Sequence, residues 1–209
     1  VESSAFAVSD LFASIYARAD MVIAAAVLTA DDVGMYAPAT QVISALFVFP
    51  SAWYFVAVPV LTRMNEEEGG IGSRGIVLTI LSFAAIGAVL WLGTWTVSNL
   101  ALESLLGSSF SGSSPLLSIL SPVTFLKSCS FGLAAILVSI GWQRRRVFIQ
   151  ISIAIINSVL NLALVKRFGI SSVAAVYVVS EIALMLGYLT LVTFWIRRSQ
   201  VSGEASAHT

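Results

Sequence analysis

The chain has 209 residues, of which 58% are hydrophobic and only 11% are charged, and its formal net charge is zero. A soluble domain carries about 25% charged residues, so this composition is typical of an integral membrane protein, and the lack of a basic excess argues against nucleic acid as a partner. The single cysteine, Cys129, excludes an internal disulfide, and with only one histidine the chain cannot form a Cys/His zinc cluster.

Hydropathy divides the chain into six apolar segments that are long enough to cross a bilayer as helices. These predicted spans cover residues 5–28, 36–61, 76–98, 116–140, 147–165 and 173–196. The sequence therefore predicts an all-α integral membrane protein in which residues 1–198 form one six-helix transmembrane domain. Residues 199–209 are polar and are predicted to be a disordered tail. Because the chain begins at the edge of a span without an initiator methionine, we expect it to be the C-terminal part of a longer protein.

A short polar segment separates the first two predicted spans, and Gly34 is predicted to be a turn residue there. The second span holds three prolines. Pro38 falls in its predicted first turn, where a missing N–H does no harm. Pro50 lies in the middle and predicts a kink, because a proline there leaves a backbone carbonyl that neighbouring helices must satisfy.

Basic residues flank the later spans very unequally. One side of the predicted membrane carries Arg63, Arg74, Arg144, Arg145, Arg146, Arg197 and Arg198. The other side carries only Lys166 and Arg167. Positive charge accumulates in cytoplasmic loops, so the sequence predicts that the arginine-rich side and both ends of the chain face the cytoplasm. Trp142 is predicted to lie at the same interface, with the three arginines 144–146 in water.

The first predicted span is unusual because it carries Asp10, Arg18 and Asp20. A charge at the centre of a membrane helix costs roughly 2.5–3.5 kcal/mol on insertion scales, so these residues need a polar partner or water. At about 100° per residue, Arg18 and Asp20 point in nearly opposite directions. One face of this helix is expected to line a polar cavity, and the other to pack on a polar neighbour.

Lys127 falls near the middle of the fourth span. Two cations at mid-depth, Arg18 and Lys127, indicate a hydrated cavity for an anionic ligand. The alternative is an ion pair of Lys127 with Asp20 or Glu181 that serves helix packing, and long cationic side chains can also reach the interface.

Asn157 and Asn161 lie four residues apart on one face of the fifth span. They could bind sugar hydroxyls, or they could form interhelical hydrogen bonds worth about 0.6–2 kcal/mol. Glu181, in the sixth span, could bind a coupling ion or serve packing. No Ser/His/Asp set, phosphate-binding loop or histidine pair is present, so we expect no enzymatic activity, no cofactor and no metal site.

Two stretches of the chain resemble a known family. The first, YARADMVIAAAVLTADDVGMYAPATQVISALFVFPSAWYFVAVPVLTR, has its matching residues at Asp20, Val33, Gly34, Tyr36, Pro59, Val60 and Leu61. The second, NSVLNLALVKRFGISSVAAVYVVSE, has them at Asn157, Asn161, Gly169, Ala174, Ala175, Ser180 and Glu181. Both resemble the C-terminal lobe of polysaccharide (O-antigen type) flippases of the multidrug/oligosaccharidyl-lipid/polysaccharide exporter superfamily.

The resemblance implies that this chain is the second lobe of a two-lobed transporter, with the N-terminal lobe of the same protein as its missing partner. Such a protein flips undecaprenyl-diphosphate-linked oligosaccharide across the plasma (inner) membrane of a bacterium or archaeon by alternating access. In that reading Arg18 and Lys127 would contact phosphates, and Asn157 and Asn161 would contact sugars. Asp10, Asp20 and Glu181 would be candidates for ion coupling.

Two other functions stay open at this point. A drug/cation antiporter of the same superfamily would have mainly acidic residues in its cavity, and the cations Arg18 and Lys127 argue against it. A membrane scaffold subunit without transport activity would instead pair its charges between helices.

Overall fold

The computed structural model describes residues 20–67, 70–100 and 113–207. A helical segment at 20–27 precedes six helices, and no strand occurs in these ranges. The helices are α1 (Ala30–Leu46), α2 (Val48–Glu67), α3 (Ser73–Leu100), α4 (Ser113–Ser139), α5 (Gln143–Phe168) and α6 (Ile170–Ala207). The protein is all-α, as predicted.

Five long apolar stretches of these helices could each cross a membrane: Ala30–Glu67, Ser73–Ser98, Ser113–Ser139, Gln143–Phe168 and Ile170–Arg198. They coincide with the second to sixth predicted spans and confirm a multi-pass membrane protein. The first predicted span, 5–28, lies largely outside the described residues, and only its last part is seen as the helical segment 20–27.

The start of α1 differs from the prediction. Thr29 caps this helix, since its Oγ1 accepts a hydrogen bond from the Asp32 N–H at 3.3 Å and donates one to Asp32 Oδ2 at 2.7 Å. Acidic residues in a first helical turn add to the stability of such a cap. The helix therefore begins at Ala30, so the prediction of Gly34 as a turn residue and of Pro38 as a first-turn residue was wrong: both lie inside α1.

The kink predicted at Pro50 is confirmed as a break between α1 and α2. Proline has no N–H for the carbonyl four residues earlier, and its ring clashes with that carbonyl. For Pro50 this carbonyl belongs to Leu46, the last residue of α1. Phe47 forms the turn, and its N–H donates to the Ser44 carbonyl at 3.2 Å in a tighter helical turn.

At the far end of α6 the backbone is helical to Ala207, so the helix includes most of the segment 199–209. That this segment is a disordered tail stays a prediction. Once a helix exists, each added residue gains a hydrogen bond without a new nucleation cost. A tail of mostly small and polar residues can therefore extend the helix before it.

Helix α4 is the centre of the bundle and packs against α1, α2, α3 and α6. Two glycines permit close contact between α3 and α4. A Cβ at Gly87 would lie 3.0 Å from the Phe125 Cα, and a Cβ at Gly132 would lie 2.9 Å from Cδ2 of the buried Phe83. Small residues at such positions let membrane helices approach closely, where dispersion forces hold them together.

Candidate functional site

The interior of the bundle consists of two apolar clusters with a polar layer between them. One cluster includes Leu117 and Leu120 of α4 with Val173 of α6, and the other includes Leu133–Leu137 of α4 with Leu184 of α6. Between them α4 contributes Lys127, and α6 contributes Ser180 and Glu181. At 1.5 Å per residue Lys127 lies about 21 Å from one end of α4 and about 18 Å from the other. The polar layer is therefore near the middle of the helices.

An ion pair joins α4 to α6 in this layer. Nζ of Lys127 lies 2.7 Å from Oε1 of Glu181, whose side chain is 0% exposed, whereas the Lys127 side chain is 20% exposed. The ammonium also lies 5.7 Å from the centroid of the Phe47 ring, at the break between α1 and α2. The Lys127 ammonium therefore lies between the buried Glu181 carboxylate and Phe47, which forms the turn between α1 and α2.

A ladder of side-chain amides continues the layer along α5. Nδ2 of Asn157 donates to Ser180 Oγ at 2.9 Å, and Nδ2 of Asn161 donates to Asn157 Oδ1 at 3.1 Å. Nδ2 of Asn161 also donates to Asp20 Oδ1 at 3.3 Å. Both asparagines are fully buried, and Asp20 is 5% exposed. The two asparagines of α5 therefore link the helical segment 20–27, through Asp20, to α6, through Ser180.

Three buried oxygen atoms of the same region have no hydrogen-bond partner within the described ranges. They are Tyr36 Oη, Asn161 Oδ1 and Glu181 Oε2. A buried polar atom normally finds a partner, so unsatisfied oxygens in a native structure call for an explanation. Here they leave the layer with spare capacity to accept protons or a cation. The described residues contain no group of three His, Cys, Asp or Glu side chains that could hold a metal ion.

Five of the seven residues predicted from the sequence come together in this layer: Asp20, Lys127, Asn157, Asn161 and Glu181. Arg18 and Asp10 lie outside the described residues. The ion pair of Lys127 with Glu181, and the interhelical bond of Asn157, are the contacts expected from the packing alternative.

Three members of the layer were not predicted as site residues: Ser180, Tyr36 and Phe47. Ser180 could have been predicted as a member of the layer, because it is adjacent in sequence to the intramembrane residue Glu181. Tyr36 and Phe47 carry no charge, so only the packing of α1 reveals them.

No protein-family model, no curated protein and no solved structure matches this chain.

Proposed function

We propose that this chain is one lobe of a membrane transporter that flips a diphosphate-linked, sugar-bearing lipid across the plasma membrane of a bacterium or archaeon by alternating access. The observation that supports it most is the Lys127–Glu181 pair at mid-depth. Ionisable residues at that depth are costly and usually mark a transport pathway. The unequal arginine count supports an orientation with both ends of the chain in the cytoplasm.

The ion pair supports a particular role for Lys127 in such a cycle. Its ammonium would exchange the Glu181 carboxylate for a phosphate oxygen when the head group arrives, since both are anionic hydrogen-bond acceptors. Glu181, with one oxygen already unpartnered in the described structure, would then need a proton or a cation. In this way substrate entry and ion binding would compete for the same pair, and Asp20 would share the ion-coupling role.

The asparagines would have a supporting role in the same proposal. Asn157 and Asn161 use their amide N–H groups within the protein. The remaining acceptor, Asn161 Oδ1, could receive a sugar hydroxyl. Arg18 and Asp10, whose surroundings the structure does not describe, keep the phosphate-binding and ion-coupling roles expected from the sequence.

A second candidate function is a membrane scaffold that carries nothing. The observation that favours it is that the ion pair and the amide ladder join the helical segment 20–27, α4, α5 and α6 by direct hydrogen bonds. In a scaffold these contacts would only fix the helix packing.

Exchanging the two charges separates the two functions. In cells that depend on the full-length protein for surface polysaccharide, we would compare Lys127→Gln, Glu181→Gln and the double exchange Lys127→Glu with Glu181→Lys. The exchanged pair keeps a salt bridge but moves the cation to α6. A transporter should then accumulate in the membrane yet export little polysaccharide.

The scaffold predicts that the exchange restores both accumulation and export, and normal export by Lys127→Gln alone would also exclude the transport role of this cation. The matched control is Arg63→Gln, which breaks the exposed Arg63–Glu67 pair at the surface of α2, where the two charged atoms are 2.8 Å apart. Exposed pairs contribute little to stability, so this variant should behave as the wild type.

A further inference from the structure

A second polar cluster lies far from the mid-depth layer, at the end of the bundle where α5 begins. Gln143, Arg146 and Gln150 are spaced i, i+3 and i+7, so they share one face of α5 over about 10 Å. Arg146 was predicted to lie in water with its two neighbours. Instead it is half-buried, and its Nη1 donates to the Tyr54 hydroxyl of α2 at 3.1 Å.

This cluster contains four buried polar atoms that have no partner among the described residues. They are Arg146 Nε, Gln143 Nε2, Gln143 Oε1 and Gln150 Oε1. Arg146 forms no ion pair there either, because the described part of the chain contains only the Arg63–Glu67 and Lys127–Glu181 pairs. The guanidinium of Arg146 is thus held by a tyrosine, and its buried Nε–H can still donate to an acceptor.

The surroundings place this cluster at the height of lipid head groups. Trp142 precedes α5 and Trp195 lies near the same end of α6, and tryptophans are enriched at membrane interfaces. The guanidinium of Arg145 stacks 3.9 Å from the centroid of the Trp142 ring. Phe148, one turn into α5, is 73% exposed and would face the acyl chains.

The unpartnered atoms define the chemistry of a ligand that would fit this cluster. Two of them, on Arg146 and Gln143, are N–H donors and require an acceptor, and arginine binds phosphate oxygens through its planar fork. The other two, on Gln143 and Gln150, are amide oxygens and require a donor. A ligand that serves both sets is an anion that also carries hydroxyl or ammonium hydrogens.

We propose that Gln143, Arg146 and Gln150 form a binding site for the head group of a bilayer phospholipid, in which Arg146 holds the phosphate diester and the two glutamines bind the hydroxyl or ammonium group beyond it. Basic pockets between membrane helices are suited to anionic lipid head groups. This site does not depend on the transport function, because it is argued from other atoms, at a different depth of the molecule.

The test uses the full-length protein in nanodiscs of phosphatidylcholine, whose head group has a phosphate but no hydrogen-bond donor. Phosphatidylglycerol or phosphatidylethanolamine is then titrated in, and bound lipid is counted by native mass spectrometry. Wild-type protein should retain the donor-bearing lipids over phosphatidylcholine by about tenfold, the factor that corresponds to about 1.4 kcal/mol. Equal retention of all three lipids would overturn the proposal.

Three variants locate the site. Arg146→Met should weaken retention of every phospholipid, whereas Gln143→Leu with Gln150→Leu should abolish only the preference for donor-bearing head groups. The matched control is Arg144→Met, which removes one charge from an exposed position in the same turn. If Arg144→Met and Arg146→Met weaken binding equally, the attraction is general electrostatics and there is no site.

Two further measurements exclude other outcomes. Arg146→Lys keeps the charge but loses the planar fork, so it should also weaken retention, and it provides a second test if Arg146→Met does not fold. Soluble glycerol phosphate should bind much more weakly than the lipid. If it competes as strongly as the lipid, the ligand is a free phosphate ester and the lipid proposal fails.

Discussion

Removing the cation from the Lys127–Glu181 pair should destabilise the protein more than removing the carboxylate. Lys127→Met leaves Glu181 fully buried as an unpaired charge, and breaking a buried pair in this way costs about 3–5 kcal/mol. Glu181→Gln leaves an ammonium that is part-exposed and lies near the Phe47 ring. Its cost should be closer to that of a lost hydrogen bond to a charged group, about 1.5–3 kcal/mol.

The double variant Lys127→Met with Glu181→Met provides the decisive comparison. It removes both charges and keeps similar side-chain volumes, and such replacements are often neutral or stabilising. We therefore expect the double variant to recover most of the stability that Lys127→Met loses. The two single losses sum to about 4.5–8 kcal/mol, so the coupling energy between the two positions should be about 3 kcal/mol or more, at or above the upper end of the range for residues in direct contact.

Thermal unfolding in detergent micelles measures this prediction. For a chain of 150–250 residues, 1 kcal/mol corresponds to about 2–4 °C in Tm, so Lys127→Met should lower Tm by about 6–20 °C. If the two single variants are equally destabilised, the difference in exposure between the two side chains has no energetic consequence. If the double variant loses the sum of both single effects, the pair is not coupled and the reasoning is refuted.

Two further predictions concern the helices that hold the layer in place. Gly132→Val should lower Tm by an amount that corresponds to about 1–3 kcal/mol, because its Cβ would lie 2.9 Å from the buried Phe83 ring. The control is Gly93→Ala on α3, where no atom lies within 4 Å of the new Cβ, and it should be neutral or slightly stabilising. Equal losses at both sites would contradict this account of the α3–α4 contact. Thr29→Ala should lower the free energy of unfolding by about 1 kcal/mol, because the α1 cap is lost. Thr29→Ser keeps a hydroxyl and should cost much less. Equal Tm values for the two variants would show that the cap does not stabilise α1.

The spans could be read from the sequence because a bilayer fixes their length and polarity. Each of the second to sixth predicted spans overlaps a described helix, and Pro50 marked the break near Phe47 because a missing N–H is a local property of the residue. Gly34 and Pro38 were misplaced because two weak local signals competed. The Thr29 cap with Asp31 and Asp32 in the next turn is also visible in the sequence, and it outweighs one glycine.

The partners within the polar layer could not be read in the same way. Spacing along one helix tells which residues share a face, and so Asn157 and Asn161 were correctly grouped. It does not tell how far two helices are displaced along each other, and this displacement decides whether Lys127 meets Asp20 or Glu181. The burial of Arg146 was missed for the same reason, since Tyr54 lies on another helix.

The mid-depth layer and the cluster at the start of α5 belong to one polar stripe. At about 100° per residue, Gln143, Arg146, Gln150, Asn157 and Asn161 all lie within about 60° of one another around α5. The stripe is about 27 Å long, nearly the roughly 30 Å thickness of the hydrocarbon core. The opposite face carries Phe148, Ile155, Val159 and Leu162, each at least 57% exposed.

A helix that only packs against its neighbours needs polar partners at one depth, where a hydrogen bond can fix its position. Polar side chains at every turn or every second turn add desolvation costs without adding to that purpose. A stripe that extends from the interface along most of the helix is instead the pattern expected of a wall along which a polar group passes. The unpartnered Asn161 Oδ1 at the far end of this stripe therefore supports the proposal of transport over that of a scaffold.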